Sequence, residues 1–197
     1  MISKKDILII SKYVSTESNG FETRIFTIAR ILVKRGYSVT IISSNSNHLA
    51  HFKPFDGLFK KEEISGINVI WINTLKYNKS ISLKRVLSWF DFELKLGFLL
   101  LFSKIKIKEI TIVSSLSLLS ILNAILFKNK NFKIIFEIRD IWPLTLVEEG
   151  NYSSNNLAVK FLGWIEKIGY LESDFIVGTM PNLKPHVDDI VNKKTLK

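Results

Sequence analysis

Along this chain, short apolar runs alternate with longer stretches of helical period. Ile7 to Ile10, Val39 to Ile42, Val69 to Ile72, Ile110 to Val113, Ile134 to Ile138 and Phe175 to Val177 are almost continuously apolar, the pattern of parallel strands covered on both faces rather than of half-solvated ones. Between the first two runs, Ile25, Ile28, Ala29, Leu32 and Val33 recur at helical spacing, and Lys34-Arg35-Gly36 supplies a cationic last turn and a stop. A complete βαβ unit therefore lies within residues 7–42. Ser82 to Phe102 and Leu116 to Phe127 predict two more helices, and Leu157, Phe161, Trp164, Ile165 and Ile168 predict the inner face of another. Lys61 to Ile64 and Ile67 to Ile72, about Gly66, predict a hairpin at one edge. Strands separated by helices throughout specify an α/β architecture, a doubly wound parallel sheet with helices on both faces in a single domain.

In such a sheet, ligands bind outside the carboxyl ends of the strands. The apolar run ending at Ile138 breaks there into Arg139-Asp140-Ile141-Trp142-Pro143. Asp140 is the candidate for positioning or deprotonating a substrate hydroxyl, on a loop stiffened by Trp142 and Pro143; the plainer alternative pairs Arg139 with Asp140 or has them cap the next helix. The loop from Ser11 to Gly20 leads into the first helix, whose free amides favour an anion, so it is a candidate phosphate or sugar site. Equally, Asn19 could cap that helix and Gly20 ease the turn.

Other chemistries are weakly signalled. Gly20 stands alone where a dinucleotide fingerprint needs three spaced glycines, and there is no P-loop lysine pattern and no Gly-x-Ser-x-Gly elbow. Cysteine is absent, which excludes disulfides and thiolate metal sites, while His48 and His51 lack companions at ligand spacing. His186 is expected to cap a surface helix. The apolar start of the chain is too short for a signal peptide, and cytoplasmic folding is expected.

A formal charge of +10 points to an acidic partner. Cations concentrate at Lys76, Lys79, Lys84, Arg85, Lys95, Lys104, Lys106 and Lys108, around the most apolar stretch of the chain. Charges within its first turns argue against a spanning helix and for one lying on a surface. Nucleic acid ranks last, because Trp89, Phe90 and Phe92 belong to an apolar helical pattern rather than to a strand platform.

The run from Ile7 to Ile10, the polar loop ending in Gly20, Thr23-Arg24, and Ala29-Arg30-Ile31-Leu32-Val33-Lys34-Arg35-Gly36-Tyr37-Ser38-Val39-Thr40 resemble the amino-terminal Rossmann-like domain of the GT-B, retaining family 4 glycosyltransferases. Glu137-Ile138-Arg139-Asp140-Ile141-Trp142-Pro143, then Trp164-Ile165-Glu166, Tyr170 and Ser173 to Met180, resemble the subgroup acting in bacterial surface-polysaccharide assembly. The resemblance implies an acceptor-binding half (residues 1–197) of an enzyme that moves a hexosyl or N-acetylhexosaminyl group in capsule, O-antigen or exopolysaccharide synthesis. The donor would be a UDP- or GDP-sugar co-substrate, with no cofactor or metal, and the acceptor a polyprenyl-diphosphate-linked sugar or glycan. It puts Asp140 at the reacting hydroxyl, with Asn19, Gly20, Phe21, Arg24, Arg139 and Trp142 on substrate. Lys79, Lys84, Arg85 and Trp89 are expected to face an anionic inner-leaflet membrane, making the protein cytoplasmic and peripheral. The carboxy-terminal donor-binding domain is expected to be absent, since the sequence stops at Lys197 about where it would begin. Two departures stand out: Asn19-Gly20 replaces a common Gly-Gly pair, and Arg139-Asp140 replaces a common His-Asp. The alternative is a noncatalytic subunit that docks lipid-linked sugar for a separate donor-binding chain.

Overall fold

A computed structural model describes residues 5–47, 50–79, 82–103, 105, 108–114 and 118–192. His48, Ser80, Lys104, Lys106 and the expected helix start at Leu116 lie outside the described residues. The chain runs β1 (Asp6–Ile10), α1 (Arg24–Lys34), β2 (Ser38–Ser44), β3 (Phe59–Ile64), β4 (Ile67–Ile72), α2 (Leu83–Phe102), β5 (Ile110–Val113), α3 (Ser120–Leu126), β6 (Lys133–Ile138), α4 (Leu144–Glu148), α5 (Leu157–Glu172), β7 (Phe175–Gly178) and α6 (Leu183–Asn192). Every strand read from the sequence is present, as is the hairpin about Gly66, whose φ of 76° suits glycine. The short α4 is an addition.

The strands form one sheet in the order β3-β4-β2-β1-β5-β6-β7, parallel except for the β3–β4 pair at the edge. Leaving β3 aside, the chain winds outward one way from β1 and then outward the other way from β5. The reversal places a crevice at the carboxyl ends of β1 and β5.

Period two sorts the strand side chains into two cores. Ile7 and Ile9 face α1, joining Ile25, Phe26 and Ala29 with Val39, Ile41, Val69 and Trp71. Leu8 and Ile10 face the other way, into a larger core with Phe92, Leu96, Ile121, Phe136, Ile138 and Ile165, covered by α2, α3, α5 and α6.

Two helices carry more apolar surface than the core uses. In α2, Ser82 caps the start by accepting from the Arg85 N–H. Trp89, Phe92, Leu96, Leu99 and Leu100 are buried, whereas Leu83, Leu87, Phe90, Leu94 and Leu101 form a second, exposed stripe, Leu94 at 76%. In α5 the sequence expectation holds for Ile165, which is fully buried, and in part for the half-buried Ile168, but it is overturned for Leu157, Phe161 and Trp164, which are 83%, 44% and 53% exposed; the buried face is Val159, Ile165, Glu166, Gly169 and Tyr170. The cause is close packing, since a Cβ on Gly169 would sit 2.6 Å from the Phe136 ring. The bare glycine face thus lets α5 approach β6. Glu166 is satisfied there by the Tyr170 hydroxyl at 2.9 Å and by His186 of α6 at 2.7 Å. His186 is therefore a half-buried tie between α5 and α6 and not a surface cap.

Candidate functional site

Parallel strands bring the loop after β1 and the turn after β6 to the same edge of the sheet, either side of the crevice. Arg139 and Asp140 are both exposed there, and among the described residues no ion pair joins them. Asp140 is held from the main chain, where its carbonyl accepts from the Trp142 N–H at 3.0 Å, before a cis Trp142–Pro143 peptide. Trp142 turns inward and meets Trp89 edge to face, centroids 5.6 Å apart.

On the first loop, Asn19 does not cap α1; Thr23 holds the N-cap position. Asn19 closes a 3-10 turn, its side-chain oxygen accepting from Thr16, and it is latched to His51 by two hydrogen bonds, 3.1 Å from its side-chain nitrogen and 2.9 Å to its carbonyl. Gly20, at φ 110°, and the partly exposed Phe21 follow, and a Cβ on Gly20 would meet open space. Arg24 is ion-paired with the buried Glu137, near the end of β6. It pins the start of α1 across the crevice, with half of its side chain still exposed.

Beneath the crevice lies a polar network the sequence reading missed. Lys12 is fully buried, donating to Ser88 Oγ at 3.1 Å, with its ammonium 4.7 Å from the Tyr13 ring centroid and 5.6 Å from that of Tyr77. Burial pulls the Lys12 ammonium down to about 7, against the attraction of Glu93. Desolvation between α2 and α3 pushes the half-buried Glu93 up to about 7 although Ser120 donates to it at 2.6 Å and Asn123 at 2.9 Å. The signal was available: Lys12 continues the even-numbered inward positions Leu8 and Ile10, and Glu93 lies on the inward face of α2 between Phe92 and Leu96. The Tyr13 hydroxyl accepts from Trp89 Nε1 at 2.6 Å and from Arg85 Nε at 3.4 Å, and the guanidinium stacks 5.4 Å from the Trp89 ring. Ser11 Oγ and Ser114 Oγ, just past the ends of β1 and β5, are buried with no partner among the described residues.

Of the four side chains expected to face a membrane, Lys79 and Lys84 are exposed. Trp89 is only 9% exposed and Arg85 stacks on it, so both belong to the crevice wall. Lys76, Lys95 and Lys108 are committed elsewhere, to the Asn45 carbonyl, to Asp91 and to Asp6. Burial also lowers Lys76 to about 8. Among the described residues, no helix is long and apolar enough to cross a membrane.

Next to Trp142 opens a groove of about 810 Å³ between α2 and α5, lined by Leu83, Val86, Phe90, Leu146, Phe161 and Leu162, with Arg85 at its rim.

No family model matches this chain, and no curated protein matches it. Among solved structures, the catalytic domain of starch synthase IV from Arabidopsis thaliana, bound to ADP and acarbose, overlays 88% of this chain at a TM-score of 0.57 with 14% sequence identity. Two variants of SsGBP overlay 98% and 97% of it at 14% identity, but with TM-scores of only 0.25 and 0.27. The chain spans 44% of the starch synthase chain. At that identity the likeness establishes architecture, and together with the strand order it gives this chain the fold of a Rossmann-like half of a GT-B glycosyltransferase.

Proposed function

We propose that this chain is the acceptor-binding half of a glycosyltransferase, working with a donor-binding half that presents a UDP- or GDP-sugar. The observation that carries the reading is the placement of Asp140. It is an exposed carboxylate at the carboxyl end of a buried parallel strand, beside the reversal point of the sheet, with an apolar groove opening from the same turn. A carboxylate so held accepts a hydrogen bond from the acceptor hydroxyl and orients its lone pair, or takes its proton as the bond to the sugar forms and the bond from that sugar to the nucleoside diphosphate breaks, the diphosphate leaving. Gly20 and Phe21 lie at the sugar-phosphate end of the crevice, with Arg139 beside Asp140.

The likeness of Arg139-Asp140-Ile141-Trp142-Pro143 to family 4 enzymes of surface-polysaccharide assembly supports an acceptor carried on a polyprenyl diphosphate. The exposed stripes of α2 and α5, with Lys79 and Lys84, support residence on an anionic inner-leaflet surface.

The test is transfer from labelled UDP- and GDP-sugars to lipid-linked acceptor by the complete two-domain enzyme. Asp140→Asn should keep the fold and lower kcat by about 10²-fold or more. A destabilised but fully active Asp140→Asn enzyme removes Asp140 from the reaction, and absence of transfer with every nucleotide-sugar by an enzyme that binds both substrates favours the docking-subunit alternative.

A further inference from the structure

We propose that the groove between α2 and α5 holds the hydrocarbon chain of a single-chain anionic amphiphile, a prenyl or acyl phosphate, and conducts it from the turn carrying Asp140 to the outer surface. This deepens the reading of the chain as an acceptor-binding half and rests on it.

The floor of the groove is built from buried Trp89, Leu119 and Val159, and its walls from half-exposed Val86, Phe90 and Phe161. Its inner end is Trp142, whose N–H reaches the Asp140 carbonyl. Leu83, at 74% exposure, belongs to both the lining and the exposed stripe of α2, and Leu87 on α2 and Leu157 and Trp164 on α5 are exposed on the same two helices. A recess of about 810 Å³ falls in the range of pockets that enclose small ligands. A flat membrane surface would not need it.

The occupant's chemistry follows from what the lining lacks. A peptide strand or loop brings backbone N–H and C=O groups that need partners, and among the described residues the hydrophilic side chains of the lining are those of Ser82, Arg85, Glu149 and Tyr152. A hydrocarbon chain needs none. Arg85, the one cation among the described lining residues, is fixed by the Tyr13 hydroxyl and the Trp89 ring at the crevice end, where a phosphate would sit. Lys84 and Lys160, both exposed, alternate with lining residues along α2 and α5, and with Arg85 they set three cations against the lining carboxylate of Glu149, a balance that favours an anion with a greasy tail.

Isothermal titration of this chain with farnesyl phosphate, farnesol and inorganic phosphate, each below any micelle concentration, tests the proposal. Farnesyl phosphate should bind saturably at one site, at least tenfold more tightly than farnesol, with no saturable binding of inorganic phosphate. Val86→Glu places an anion in the groove from an exposed position and should weaken farnesyl phosphate at least tenfold at unchanged Tm. Ala158→Phe fills the groove without adding charge and should do the same. Binding unchanged in both folded variants overturns the proposal. So does failure of farnesyl phosphate to bind while phosphatidylglycerol vesicles still sediment the chain, which would leave a surface contact only. Neither result touches the Asp140 reading, which stands or falls on turnover.

Discussion

Two glycines of α5 should respond to the same substitution with opposite sign. Gly163 has only Pro143 Cγ near a prospective Cβ, at an ordinary 3.7 Å, so Gly163→Ala gains helix propensity and should stabilise by about 1 kcal/mol. At Gly169 the Cβ would fall 2.6 Å from Phe136, itself fully buried, and Gly169→Ala should destabilise by about 1–3 kcal/mol. Urea midpoints of the two variants check both signs. The buried charges make a second residue-scale prediction. Lys12 is lowered from 10.5 to about 7, so between those values the unfolded chain binds a proton the folded chain does not, and stability rises with pH. Glu93 is raised from 4.5 to about 7, so over that window the folded chain keeps a proton the unfolded chain has lost, and stability falls as pH rises. Lys12→Met should flatten the alkaline rise and Glu93→Gln the fall between pH 4.5 and 7, read from denaturation at pH 5, 7 and 9. Both groups were legible only as charges at positions that periodicity assigns to the core, a signal that a motif search passes over.

At the scale of the element, α5 shows what periodicity can and cannot say. Its apolar stripe Leu157, Phe161 and Trp164 was legible, but a stripe records only that a face avoids water, and the face that meets β6 is made of Gly169, Tyr170 and a satisfied Glu166. Close packing through a missing side chain leaves no hydrophobic signature. The helix α2 carries both kinds of face, so Leu96→Ala should cost about 2–5 kcal/mol of stability, while Leu94→Glu should change it by less than about 0.5 kcal/mol. If the outer stripe rests on lipid, sedimentation with anionic vesicles should fall for Leu94→Glu, and also for Lys79→Glu with Lys84→Glu, with salt releasing the parent. Unchanged sedimentation of all these variants would remove the outer stripe from membrane contact.

For the whole molecule, the six parallel strands and their helices could be read directly, because strands buried on both faces are apolar without interruption. The order of strands could not, since nothing local in Ile7 to Ile10 specifies β2 on one side and β5 on the other; right-handed crossovers and the burial of both faces decide it. The candidate site was half legible for the same reason. Asp140 ends an apolar run and so announces itself, while the ion pair that Arg24 makes across the crevice to Glu137 joins residues 113 positions apart and has no local signature. The proposed division of labour between two halves also predicts that this chain alone binds UDP or GDP more weakly than micromolar. Calorimetry showing a free energy of about −8 kcal/mol or better would place a nucleotide site within it.

The double-faced α2 has a consequence for any survey of variants. A screen that scores folded yield would mark Leu83, Leu87, Phe90 and Leu94 as dispensable, and charged replacements there would even be rewarded, because the isolated chain becomes more soluble as its greasy outer stripe is erased. Trp89, Phe92 and Leu96, on the opposite side of the same helix, would score as intolerant. A residue's silence in such a screen therefore measures only which side of α2 it occupies.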